Sequence, residues 1–164
     1  MIVLPVGPIT AAGFAPYGWV ATGDAASGQP INEGSSRRVD AAGRLALVDE
    51  GGTPVLAVFR AEARDPRGPW HTLERHRLGT QTFVPLGGVR CVMLVATGEA
   101  RPEPATLAAF VVSGRQAVTL HAGTWHHGLI AIDGGDFVVV ERMAATVDCE
   151  FAALHEAVTL DWRG

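Results

Sequence analysis

A chain of 164 residues, 48% hydrophobic and only 18% charged, is long enough to bury one core without disulfides and too short for a second complete domain, so 1–164 is read as a single domain. Its net charge of -4, with no run of like charges, argues against a basic face for nucleic acid. No stretch approaches the roughly 18 uninterrupted apolar residues of a membrane span, and the opening MIVLPVGPIT has no basic n-region and is broken by Pro5, so a soluble, cytoplasmic protein is expected.

In chain order, GPITAAGFAPYG predicts a short helix, with Thr10 as its N-cap. Residues 23–52 form the most polar, glycine-rich region and read as a long loop with a strand near its end. TPVLAVFRAEA reads as a strand, and the proline-containing RAEARDPRGPWHTLERH carries the chain to the next one. GTQTFVPL, VRCVMLVATG, FVVSGRQAVTLHAG, HHGLIAIDGG and DFVVVERMAATV are further β-branched or aromatic runs bounded by Gly, Pro and Asp. PEPATLAAF offers one or two turns of helix between them. Strands at this spacing favour a closed or double-layered antiparallel sheet. Cys91 lies in an apolar run and neither it nor Cys149 belongs to a C-x-x-C motif, so neither is read as a nucleophile or half of a disulfide.

The chemistry concentrates in two places, because five of the six histidines lie between positions 71 and 127. In an extended LERHR, Glu74 and His76 share one face, and Leu73, Arg75 and Arg77 share the other. A bend at Gly79 resets the phase so that Gln81 and Phe83 also face inward. In TWHHG, His126 and His127 point to opposite sides, which rules out chelation of one ion by adjacent histidines of an ordinary strand. His126 is assigned to the pocket with Glu74, His76 and Gln81. The face carrying Leu73, Trp125 and Leu129 is expected to be covered by a second chain. No P-loop, dinucleotide fingerprint or G-x-S-x-G is present.

ERHRLGTQTFVPLGG resembles a first cupin motif, with Glu74, His76 and Gln81 at ligand-like positions, and HAGTWHH resembles the second, with His126 at the remaining one. Common metal cupins carry His where Glu74 stands and Glu where Gln81 stands. INEGSSRR, LERHRLGTQTFVPLGG and HAGTWHHGLIAIDGGDFVVVER, in that order, resemble the ureidoglycolate lyase family. The resemblance implies a mainly β, cupin-type double-stranded β-helix or jelly-roll barrel with one or two short helices. It also implies a homodimeric enzyme of allantoin (purine) catabolism that cleaves (S)-ureidoglycolate to glyoxylate and urea. Carried onto this sequence, Glu74, His76 and His126 are catalytic, and Asn32, Arg38, Arg60 and Gln81 bind substrate. A divalent metal, with nickel suggested by the family, has Glu74, His76, Gln81 and His126 as its candidate ligands, beside a metal-free acid–base route. Which residue is acid and which is base stays open. The alternatives are another small-carboxylate cupin enzyme (a metal-dependent dioxygenase or isomerase) and a non-catalytic small-molecule-binding cupin.

Overall fold

A computed structural model describes residues 1–23, 28–41 and 43–164. The expected loop at 23–52 therefore falls in part, at 24–27 and 42, outside the described residues. The strands are β1 (Ile2–Pro8), β2 (Gly18–Thr22), β3 (Gln29–Ile31), β4 (Ser36–Arg38), β5 (Thr53–Ala61), β6 (Trp70–His76) and β7 (Gln81–Pro85). They continue with β8 (Cys91–Ala96), β9 (Ala108–Val112), β10 (Gln116–Leu120), β11 (Trp125–His126), β12 (Ile130–Ala131), β13 (Gly135–Met143) and β14 (Cys149–Asp161). The one α-helix among the described residues is the predicted short one, α1 (Ala11–Phe14), whose N-cap Thr10 accepts from the Gly13 N–H. PEPATLAAF forms only the 3₁₀ turn Pro104–Thr106, because Leu107 is already extended and leads into β9. Between the β3–β4 hairpin and β5 the described residues hold no strand, only the turn Asp49–Gly51, which corrects the strand expected there.

The chain is mainly β, as expected of a cupin-type barrel. One sheet runs β2-β10-β7-β13-β5; the other runs β11-β6-β14-β1-β9-β8-β12. Because β11 also pairs with β8, six strands of the second sheet close into a ring. β1 closes it by parallel pairing to β14 on one side and β9 on the other. FVVSGRQAVTLHAG becomes two strands rather than one, and the turn at Ser113 passes the chain from one sheet to the other.

This topology makes two cores. Cys91, Met93 and Val95 of β8 join Phe83, Val118, Leu120, Phe137 and Val139 in a core between the sheets. Val92, Leu94 and Ala96 of the same strand join Leu73, Trp70, Trp125, Val158 and Leu160 inside the ring. Period-two alternation therefore buries β8 on both faces, which is why CVMLVA is apolar throughout.

The ring corrects one expectation. Leu73 and Trp125, each 1% exposed, are covered by the chain's own β1 and β14, not by a partner, and Leu129 packs against the other core. Arg75 on the same face is also buried. Its guanidinium lies 4.2 Å over the Trp125 ring and pairs with Glu150, which satisfies a charge that burial alone would penalise. No helix among the described residues is long and apolar enough to cross a membrane.

Candidate active site

β6 and β11 lie side by side with Glu74 directly opposite His126, and Val95 of β8 lies opposite His126 on its other side. Directly paired residues of an antiparallel ladder project to the same face. Because Val95 belongs to the core between the sheets, His126 and Glu74 face that barrel interior, and His76, two residues on, faces it as well. One potential ligand atom from each of Glu74, His76 and His126 lies within 4.8 Å of the other two. His126 Nε2 stands 3.7 Å from Glu74 Oε1, and the two imidazoles are 5.7 Å apart with their planes tilted by 36°.

His126 is 2% exposed. Its Nδ1–H donates to the Thr124 carbonyl at 3.0 Å, since a carbonyl only accepts, and this fixes the tautomer with the lone pair on Nε2. Nε2 has no hydrogen-bond partner among the described residues. Burial pushes the imidazole down to about 4, with the neighbouring His76 and His127 adding to the effect and the Thr124 carbonyl opposing it. The ring is therefore neutral at pH 7, with a free lone pair directed at Glu74. The turn that presents it depends on Gly123, which sits at φ +86° and donates its N–H to the His76 carbonyl, tying the two histidine strands together.

Each of the other members has a supporting partner. Glu74 Oε2 accepts from the Cys149 thiol at 3.6 Å; burial first, then the Glu74 charge, push that thiol up to about 11, so it remains a donor. His76 Nδ1 faces Asp148 Oδ1 at 3.7 Å, and Asp148 is held by the Leu78 N–H at 2.8 Å. Gln81, buried at the head of β7, donates from Nε2 to Glu141 Oε2 at 2.9 Å. His127 points away from the site, packing its ring 4.4 Å from Trp70 and hydrogen-bonding the Gly128 carbonyl.

Three residues expected at the substrate are not brought to this cluster. Val55, Ala57 and Phe59 of β5 are the less exposed alternation, so Arg60 projects outward, 85% exposed and paired with Asp136. Arg38 is exposed and paired with Asp40, and Asn32 is exposed in the left-handed turn between β3 and β4. Asp148 and Cys149 were not placed at the site from the sequence, where Cys149 was considered only as a nucleophile or disulfide partner, and Glu141 was not singled out. The first two reach the site only through the pairing of Cys149 with His76 across β14 and β6, which no local motif announces.

A family model described as ureidoglycolate lyase matches residues 1–161. A ureidoglycolate lyase of Burkholderia mallei (strain NCTC 10229) is 40% identical over 144 residues, covering 87% of this chain and 84% of that protein. Proteins of the same name from Burkholderia cepacia and Pseudomonas syringae pv. tomato are 34% and 38% identical. Those two alignments cover 98% and 92% of this chain, and 91% and 89% of the respective relatives.

Proposed function

The chain belongs to the ureidoglycolate lyase family, and we propose that it cleaves (S)-ureidoglycolate to glyoxylate and urea, in allantoin catabolism, with Glu74, His76 and His126. The observation that carries the assignment of these residues is the buried, neutral His126 whose unpartnered Nε2 stands 3.7 Å from Glu74. The substrate carries a hydroxyl, a carboxylate and a ureido nitrogen on one carbon. Cleavage moves one proton from the hydroxyl oxygen to that nitrogen while the C–N pair leaves with urea and the C–O bond becomes the aldehyde. Glu74 takes the hydroxyl proton, and His126 Nε2, which carries a lone pair and no hydrogen, accepts the same O–H as the second arm of a three-centre bond and so orients it. His76, braced by Asp148, gives a proton to the departing nitrogen and recovers one from Glu74 as the products leave, so the inventory balances without a water molecule.

The donor set also fits a divalent metal: one carboxylate and two imidazoles converge, and His126 offers an orphaned lone pair. Glu74, His76 and His126 would hold it. Nickel, manganese and zinc suit such mixed ligation, and a bound ion would supply Lewis-acid polarisation of the substrate oxygens. The product balance tests the function. Urea and glyoxylate are expected in equal amounts from the S enantiomer, in metal-replete or metal-stripped protein. Ammonia in place of urea identifies hydrolysis instead, and no product from either enantiomer refutes the assignment.

The family resemblance also implies a dimer, and the outer face of the five-stranded sheet supports one. Leu56 (71% exposed) and Val58 on the edge strand β5 stand opposite Val140 and Val138 of β13, with Val84 of β7 beyond, leaving an apolar patch that the chain does not cover. A second copy meeting this patch makes the homodimer. Leu56→Glu is expected to shift the species seen by light scattering from dimer to monomer. A monomeric parent protein, or a variant that dimerises unchanged, contradicts this placement.

A further inference from the structure

Two buried side-chain polar atoms are without a hydrogen-bond partner among the described residues: His126 Nε2 and Gln81 Oε1. The first belongs to the reacting centre. The second has no role in the proton movements above, yet a buried carbonyl oxygen with nothing to accept from is a feature that folded proteins rarely retain without a use.

Its orientation is not arbitrary. Gln81 Nε2 meets Glu141 Oε2 at 2.9 Å. A carboxylate only accepts, so the nitrogen end of the amide must face Glu141 and the oxygen end must face away from it. The bond is charge-assisted and therefore strong enough to hold that flip state. Both side chains project into the barrel that holds the reacting residues. Gln81 is two residues from Phe83, and Glu141 two from Val139; Phe83 and Val139 are paired across β7 and β13 and belong to the core that also contains Val95, the neighbour of His126. Gln81 also pairs with Leu120, the last residue before the turn that leads into β11, so it lies at the end of the barrel from which His126 is presented.

The chemistry of the substrate says what such an oxygen accepts. The glycolate half offers one donor, the hydroxyl, which Glu74 and His126 consume. The remaining donors are the N–H groups of the ureido half. Resting on the function proposed above, we infer that Gln81 Oε1 receives the terminal NH₂ of the ureido group and that Glu141 is a positioning residue that locks the Gln81 amide in the accepting orientation. Together they make a ureido leaving group a requirement of the site. A substrate ending in methyl instead of NH₂ leaves the oxygen buried and unpaired, which is how sites built on hydrogen bonds discriminate more sharply than apolar ones.

The test compares (S)-ureidoglycolate with its acetamido analogue, 2-acetamido-2-hydroxyacetate, whose cleavage also yields glyoxylate, with acetamide in place of urea. In the parent protein the ratio of kcat/KM for the two is expected to be about 10⁴-fold in favour of ureidoglycolate. Gln81→Leu keeps much of the volume and removes the accepting oxygen, so the acetamido methyl no longer faces an unpaired polar atom; the ratio is expected to fall at least tenfold, with turnover of the acetamido analogue retained. Glu141→Gln lets the Gln81 amide turn its nitrogen toward the ureido NH₂, so kcat/KM for ureidoglycolate is expected to fall severalfold while that of the acetamido analogue, which bonds neither end, is unchanged. A ratio near one in the parent, a ratio unmoved by Gln81→Leu, or an equal loss on both substrates in Glu141→Gln, which a merely structural role would cause, each overturns the inference. If the parent forms no glyoxylate from ureidoglycolate, the lyase reading falls first and this inference with it, whereas glyoxylate formation with an unmoved ratio refutes this inference alone.

Discussion

His126→Gln is expected to lower kcat by about 10²-fold, the scale of misaligning a reacting group, while His127→Gln leaves kcat within about threefold. Glutamine at 126 retains much of the volume of a residue that is almost fully buried, so the fold survives and the loss is chemical rather than a cavity effect. What disappears is a neutral ring nitrogen held in one tautomer by the Thr124 carbonyl and directed at Glu74. His127 contributes packing on Trp70, worth about 0.5–1.5 kcal/mol for an aromatic pair, and touches the backbone of Gly128 rather than the reacting groups. Its variant is therefore expected to melt somewhat earlier but to turn over normally. A comparable kcat loss in His127→Gln, with folding intact by circular dichroism, would reverse the assignment of the two histidines.

The contrast between these neighbours was legible because strand alternation alone separates them, and the same rule placed Glu74 beside His76. The strands richest in β-branched residues, β5, β7, β8 and β13, were also readable from their local sequences. What sequence did not reveal was pairing between distant segments. β1 contains Pro5, which reads as an interruption, and its last two residues fall in the stretch read as a helix, yet β1 closes the ring by parallel pairing on both sides. β14, CEFAALHEAVTLD, has no clean alternation because its register with β6 shifts between Ala153 and Val158, and this strand brings Cys149 to Glu74. Without β1 and β14 the face bearing Leu73 and Trp125 looked open and suited to a partner; with them it is an interior. Arg60 shows the converse limit, since its charge suggested a substrate clamp and only the phase of β5 places it outside.

Glu74→Gln carries the second large effect. It preserves the shape of the side chain and removes the charge that accepts the hydroxyl proton, so kcat is expected to fall by about 10²-fold or more with KM changed little. A drop confined to KM would instead mean that Glu74 contributes to binding and that another group is the base. Because this variant binds substrate without turning it over efficiently, it also permits the most direct measurement of where the reaction takes place: a crystal structure of the Glu74→Gln variant with (S)-ureidoglycolate. The substrate is predicted in the barrel between the sheets, with its hydroxyl within hydrogen-bond reach of His126 Nε2 and of the side chain at position 74. Substrate bound elsewhere, for example in the cleft lined by Leu107, Leu154 and Glu156, with none beside His126, would contradict the account.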